Sequence, residues 1–191
     1  MLKDIIKASR SYRSFDRSVR IEKERLLSWI DTARMTPSTM NRQAIKYKVC
    51  HTDEECARCR ALVRFGAALP NRTMPPEGHE PTAYIIIAVD KDIAPNYTLF
   101  FKDTGIVAQT IMLLAAEEGF GGCMLGSGDP EAIAKEFSLP ESIVPTLVLA
   151  LGRPDEQVEL CEVGKDGKTA YFRDESNTHF VPKRPLVELL L

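Results

Sequence analysis

The stretch from Asp103 to Gly128, DTGIVAQTIMLLAAEEGFGGCMLGSG, limits what this chain can fold into more than any other. Its first part carries Ile106, Val107, Ala108, Ile111, Met112, Leu113, Leu114, Ala115 and Ala116, with only Thr104, Gln109 and Thr110 as polar breaks before Glu117. A helix apolar nearly all round belongs in a core or between subunits, not on a surface. Asp103 suits the start of that helix, as a cap or as a negative charge at its positive pole. Gly119 suits its end. Five glycines then fall within ten residues: Gly119, Gly121, Gly122, Gly126 and Gly128. Glycines at that density let backbone come close to a flat or anionic group, so a cofactor is expected here.

The rest of the chain supplies elements to pack around this helix. Leu2–Ala8 reads as a short helix ending at Ser9-Arg10-Ser11-Tyr12-Arg13-Ser14-Phe15. Arg10 and Arg13 flank Ser11, which suits either convergence on a phosphate or cations at a helix C-terminus. Ile21–Met35 is a second helix, broken by Pro37. The polar run Thr36–Gln43 offers hydroxyls and amides suited to a heterocycle edge or a ribityl chain. Ala44–His51 alternates as a half-buried strand, Thr52–Ala68 is helical, and Leu69–Pro81 is a loop rich in Pro and Gly. Tyr84–Val89 and Pro145–Gly152 are buried strands. Asn96 leads into the long helix, and Asp129 or Ser127 caps a helix over Pro130–Phe137. Arg153–Ser176 reads as polar and charged connection. The tail ends Leu-Leu-Leu, which invites docking on another surface and favours a homodimer.

Size and composition fit one domain over residues 1–191 with a sizeable core. A hydrophobic content of 44% against 27% charged excludes disorder as a whole-chain reading. The N-terminus lacks the apolar core of a signal peptide. The apolar runs Tyr84–Val89 and Ile111–Ala116 are too short to span a bilayer, which predicts a soluble cytoplasmic protein with no membrane partner. Lys and Arg outnumber Asp and Glu two to one up to residue 72 and are outnumbered about two to one beyond it. This split suits a local anion site or solvated helix faces, not a nucleic-acid surface. Cys56 and Cys59 form a CxxC on a charged helix, without the second ligand pair of a zinc site, and are expected to be incidental thiols.

Other chemistries find little support. No GxGxxG follows a strand, no GxxxxGK[ST] is present, and no serine sits in GxSxG. His51, His79 and His179 lack metal-ligand spacing, so no metal site is expected. What remains is rich in anion donors and poor in acids, bases and nucleophiles, as suits a bound cofactor that carries the reaction.

Four segments together resemble the nitroreductase family of FMN-dependent oxidoreductases, over most of the chain. Ser9–Phe15 is similar to the family's RRSxRxF, and Ala33–Gln43 to its ArxAPSxxNxQPW. Asp103–Ala116 with Gly119–Gly126 is similar to DxGxAxQnlxLaAxxxGlGxcxxG, and Pro182–Leu186 to its basic, proline-flanked C-terminal segment. The resemblance implies an α+β, three-layer fold with a central mixed or antiparallel sheet flanked by helices, and a C-terminal tail exchanged across a homodimer. It implies that Arg10, Ser11 and Arg13 bind the FMN phosphate, with Lys183 or Arg184 closing on it. Pro37, Ser38, Thr39, Asn41 and Gln43 would reach the flavin and ribityl chain from the partner subunit. Leu125, Gly126 and Ser127 would line the isoalloxazine ring, with a backbone N–H facing N5. The chain departs from the pattern in Ser9, where the family often has a first arginine, in Ala44-Ile45, which replaces Pro-Trp, and in a short 61–102 segment that leaves little room for a lid.

The implied activity is transfer of hydride from NADH or NADPH through FMN to a small acceptor such as a nitroaromatic, quinone or enone. The two half-reactions alternate at one site, and no catalytic side chain is required. Three other readings compete: the same fold with non-nicotinamide flavin chemistry, of dehalogenating or flavin-cleaving type; a non-enzymatic module that binds an anion or partner; and a thiol-redox protein using Cys56 and Cys59.

Overall fold

The computed structural model describes residues 1–66 and 73–191. Its centre is an antiparallel pair of strands. β3 (Ala83–Asp90) is buried along its length from Ala83 to Val89. It pairs antiparallel with β2 (Ile45–Cys50) on one side and with β5 (Ile143–Pro154) on the other. β5 also pairs antiparallel with β4 (Gly121–Leu125) and, at its end, with β1 (Phe15–Asp16).

Alternation along these strands fixes the layers. Ile85, Ile87, Leu149 and Leu151 point to one face, against Leu26, Trp29 and Ala33 of α2 (Lys23–Ala33) and Val107, Ala108, Ile111 and Ala115 of α4 (Phe101–Glu117). Tyr84, Ile86, Val148 and Ala150 point to the other, against Cys56 and Cys59 of α3 (Asp53–Ala61) and Ile133 of α5 (Pro130–Glu136). This is the expected α+β arrangement of three layers, and within the central sheet every pairing is antiparallel. A small second sheet follows, with β6 (Val158–Glu162) parallel to β8 (His179–Lys183) and β7 (Phe172–Arg173) antiparallel to it. α1 (Leu2–Ala8) lies outside the core, with no buried residue.

Several expectations shift in detail. α3 stops at Ala61 and not near Ala68; Val63, Leu62 and Phe65 leave the helical path and pack on the cluster beneath α5. Ala67 and Ala68, with the first part of the Leu69–Pro81 loop, lie outside the described residues. The start of α3 is sharper than its composition suggests, because Thr52 and Glu55 form a reciprocal capping box. The stretch read as polar connection, Arg153–Ser176, contains β6 and β7.

The long helix also differs. A 3-10 turn over Tyr97–Phe100 leads into it, so Asp103 lies in its first turn and is not its cap. With that turn, Tyr97–Glu117 is long and apolar enough to cross a membrane by length and composition alone. Here one side of it is packed on the sheet and on α2. The opposite side is open: Gly105, Gln109 and the Ile106 side chain are exposed. Beyond β8, Leu186, Val187, Leu189, Leu190 and Leu191 are all exposed.

Candidate functional site

The first cluster gathers the two ends of the chain. After α1 the backbone turns extended at Ser9. The next residues then lie along β4: Ser11 bridges to Gly122, and the Tyr12 N–H donates to the Gly122 carbonyl at 2.8 Å. This fixes Arg10, Ser11 and Arg13 around a cavity of about 280 Å³, whose other walls include Gln109 and Met112 of α4, Tyr171, and His179 and Lys183 of β8. Arg10 donates to the Ile6 carbonyl at 2.6 Å, so it also satisfies a helix-end carbonyl. Arg13 is buried, donates to the Ser11 carbonyl at 3.1 Å, and sits over the Tyr171 ring, 4.9 Å from its centroid. The Nε atoms of Arg10 and Arg13 are buried with no hydrogen-bond partner. Among the described residues, Arg10, Arg13 and Lys183 pair with no carboxylate. Arg184 does not line this cavity and is engaged by Glu188 at 2.8 Å.

A carboxylate does stand behind the cluster, but it is otherwise engaged. Glu156 accepts from the backbone N–H groups of Arg13 and Ser14 and pairs with Arg173, both side chains being almost fully buried. The pair ties β7 to the Arg13 segment and leaves the guanidinium of Arg13 uncompensated. Three unpaired cations around one small cavity make a site for a multiply charged anion.

The second cluster is built by Asp103. Its buried carboxylate accepts from the Ser38 hydroxyl (2.9 Å), the Thr39 N–H (2.8 Å) and the Thr39 hydroxyl (2.6 Å). Ser38 Oγ in turn accepts from the Gln43 N–H at 3.0 Å. These bonds hold an unusual backbone: Met40, Asn41 and Gln43 all have left-handed φ, 51°, 51° and 53°. Asn tolerates that region; Met and Gln adopt it at a cost. Pro37, Ser38 and Gln43 line a separate cavity of about 300 Å³ with Asp103 and Val107. The hydroxyls of Ser38 and Thr39, expected to face a ligand, are therefore spent on Asp103. Asn41 and Gln43 are exposed.

The third cluster ends β4. Leu125 is buried, Gly126 and Ser127 are exposed, and Ser127 is tied to the backbone of Arg64, accepting from its N–H at 2.9 Å and donating to its carbonyl at 2.7 Å. Two of the glycines before it are required by packing within the chain. A Cβ on Gly122 would lie 2.2 Å from the Ala150 carbonyl oxygen, and one on Gly121 would strike the Tyr12 ring. Only at Gly126 in this strand and turn would a Cβ meet no atom within 4 Å.

The structure thus brings Arg10, Ser11, Arg13 and Lys183 together and places the Pro37–Gln43 segment in a different cavity that shares no lining residue with the first. Sequence reasoning missed Asp103 as the clasp, Tyr171 and His179 as walls of the anion cavity, and Glu156 behind it. The first stands in the motif already singled out; the others lie in a polar stretch with no pattern to mark them.

Cys56 and Cys59 are both buried. Burial pushes Cys56 up to about 12. The Cys50 contact, with burial, pushes Cys59 higher still. Among the described residues no cluster of metal-ligating side chains occurs.

Comparison with known proteins bears on this arrangement. The sequence profile of the Nitroreductase family matches residues 6–75 and 76–153. The chain belongs to this family. Both the Arg10–Arg13 cluster and the Asp103 clasp lie within the nitroreductase match, whereas Glu156, Tyr171, Arg173, His179 and Lys183 lie beyond it. The chain is 25% identical, over 177 residues, to a Bacillus subtilis (strain 168) protein provisionally named NAD(P)H nitroreductase YodC, covering 78% of this chain and 88% of that one. Its fold is similar to that of a nitroreductase family protein of Clostridium difficile 630, with TM-score 0.69 and 22% identity over 100% of this chain and 96% of the other. It is also similar to a protein of Exiguobacterium sibiricum 255-15, provisionally described as a nitroreductase and solved in complex with FMN, with TM-score 0.66 and 20% identity over 82% and 89% of the two chains.

Proposed function

We propose that this nitroreductase family member works as a cytoplasmic homodimer that reduces an organic acceptor, a nitroaromatic, quinone or enone, in alternating half-reactions. It is an NAD(P)H-dependent flavin oxidoreductase with FMN as its cofactor. The flavin supplies the redox chemistry, accepting a hydride equivalent from the nicotinamide and delivering it to the acceptor. The residues of the chain bind, orient and shield.

The observation that carries the reading is the cavity where Arg10, Ser11 and Arg13 meet Lys183 from the opposite end of the chain. Its cations are unpaired, and two buried guanidinium Nε atoms have no acceptor. A phosphomonoester supplies the missing acceptors. Gly126, where a side chain would meet nothing of the protein, suits the flat wall of the ring. The Pro37–Gln43 segment suits the same ring from a second subunit, since within one chain it opens into its own cavity. The exposed side of α4 and the apolar tail give that subunit apolar surface to cover.

The test is the visible spectrum of the purified protein and the same spectrum after anaerobic NADH or NADPH. A bound flavin bleached by reduced nicotinamide is expected. A colourless protein that takes up no FMN on titration overturns the reading. Subunit sharing is tested by co-producing Arg13→Ala and Asp103→Asn chains: mixed dimers regain flavin at one site of two if each site draws on both chains, and regain none if it does not.

A further inference from the structure

The anion cavity has one wall that the cation cluster does not explain. His179 opens β8; its backbone N–H is spent on the Gln157 carbonyl at 2.9 Å. It lines the same cavity as Arg10 and Arg13. The residue is 1% exposed, yet neither Nδ1 nor Nε2 has a hydrogen-bond partner. Tyr171 touches the ring only edge to face, with centroids 5.1 Å apart. A buried imidazole with both nitrogens unused is a cost that native structures rarely leave standing. Buried polar groups that the protein itself leaves unsatisfied are the ones a ligand satisfies.

We propose that His179 is a phosphate-binding residue, its imidazole donating an N–H to the same phosphomonoester that Arg10, Arg13 and Lys183 hold. The inference rests on the reading of this cavity as the phosphate end of the FMN site. It assigns a task to the C-terminal sheet: β8 carries both His179 and Lys183, and β7 supplies Arg173, which fixes Glu156 behind Arg13.

The surroundings set the state in which the ring waits. Arg13 faces it from the segment after α1, Arg173 from β7, Lys183 lies farther along β8, and Glu156 faces it from the link between β5 and β6. Burial holds the imidazole down to about 4, Arg173 and Arg13 push the same way, and Glu156 opposes them. Near neutral pH the free site therefore holds a neutral ring with one N–H to give, which adds no fourth positive charge to the cluster. A phosphate dianion draws that N–H and shifts the ring's titration upward.

The experiment uses the full chain stripped of flavin and compares two probes, FMN and riboflavin, which differ in the phosphate alone. In His179→Leu, FMN binding is expected to weaken about ten- to a hundredfold, the range of a hydrogen bond to a charged group. Riboflavin binding is expected to be unchanged. His179→Gln, which restores an N–H, is expected to recover part of the loss. In parallel, the imidazole nitrogens of 15N-histidine-labelled wild-type protein are followed by NMR. The His179 signals are expected to move with FMN and with inorganic phosphate, and not with riboflavin. Should His179→Leu fail to fold, these spectra decide alone. Full retention of the FMN preference in both variants, or unmoved imidazole signals, overturns the inference while leaving the phosphate site intact. A wild-type protein that binds FMN no tighter than riboflavin overturns the phosphate reading and this one with it.

Discussion

Replacing Asp103 by asparagine tests whether the clasp holds the left-handed segment in place. The carboxylate accepts three hydrogen bonds from Ser38 and Thr39 in a buried position. Asparagine keeps the shape and removes the charge. Each bond then drops from the charged class, about 1.5–3 kcal/mol, to the neutral class, about 0.5–1.5 kcal/mol. The amide NH2 also faces a hydroxyl that now has to accept. The three bonds together lose about 3 kcal/mol, and release of the strain at Met40 and Gln43, about 1–2 kcal/mol per residue in the left-handed region, returns part of it. A net loss of about 2 kcal/mol is expected in urea denaturation of the flavin-free protein, a large share of the stability of a chain this size. Trypsin supplies a local readout, because Arg34 and Arg42 bracket the segment and are exposed. Cleavage there is expected to speed up in the variant before cleavage elsewhere. The double change Asp103→Asn with Thr39→Val should cost less than the sum of the two singles, as residues sharing hydrogen bonds do. A variant within 0.5 kcal/mol of the parent (roughly the scatter for a surface change), cut by trypsin at the parent rate, refutes the clasp.

Four further outcomes follow from the same geometry. Gly126→Ala is expected to leave the stability of the flavin-free protein unchanged and to weaken flavin binding, whereas Gly122→Ala should fail to fold or melt far lower, since its Cβ lands 2.2 Å from a backbone oxygen; thermal melts with and without FMN separate the two. Glu156→Gln should cost about 3–5 kcal/mol in urea denaturation by leaving Arg173 buried and unpaired, and adding Arg173→Met should return much of it. Glu55, which burial raises but Lys48 and the N–H groups of His51 and Thr52 lower more strongly, ends at about 2. Its contribution is therefore complete above the unfolded carboxylate range and lost as pH falls toward 2. Glu55→Gln should flatten stability between pH 5 and 2 by about 1–2 kcal/mol, after discounting for its partial exposure. Iodoacetamide at pH 8 should leave Cys56 and Cys59 unmodified in the native protein and label both in urea, read by mass spectrometry; rapid native labelling would contradict the burial that raises their thiols.

The elements that were legible in the sequence are those whose own side chains bury them. The uninterrupted run Tyr84–Val89 marked β3, and the period of Leu26, Trp29, Ile30 and Ala33 marked α2, because burial acts directly on those residues. The small sheet gave no such signal. β6 has no buried residue and no regular alternation, and it rests on a parallel partner, so its pattern resembles a charged connection. The glycines were read for a ligand when two of them serve close approach to Ala150 and Tyr12, contacts that exist only once β4 lies beside β5. The phosphate cluster was legible through its cations. The groups that aim those cations were not, because Glu156 and Arg173 become partners only through the fold. Asp103 was seen as a helix-end charge, and its three bonds run to residues more than sixty positions earlier.

One consequence lies in the length of β5. It meets Leu125 at Val148, Gly121 at Gly152 and Phe15 at Pro154. The strand therefore acts as a ruler between the end of β4 and the start of β1, which lie about 20 Å apart along it at 3.3 Å per residue. One residue inserted between Gly152 and Pro154 would shift the register of β1 by a full step and turn the following side chains to the opposite face. Loops of this chain can lengthen or shorten without changing the offset of β4 and β1, whereas the stretch from Val148 to Pro154 sets it.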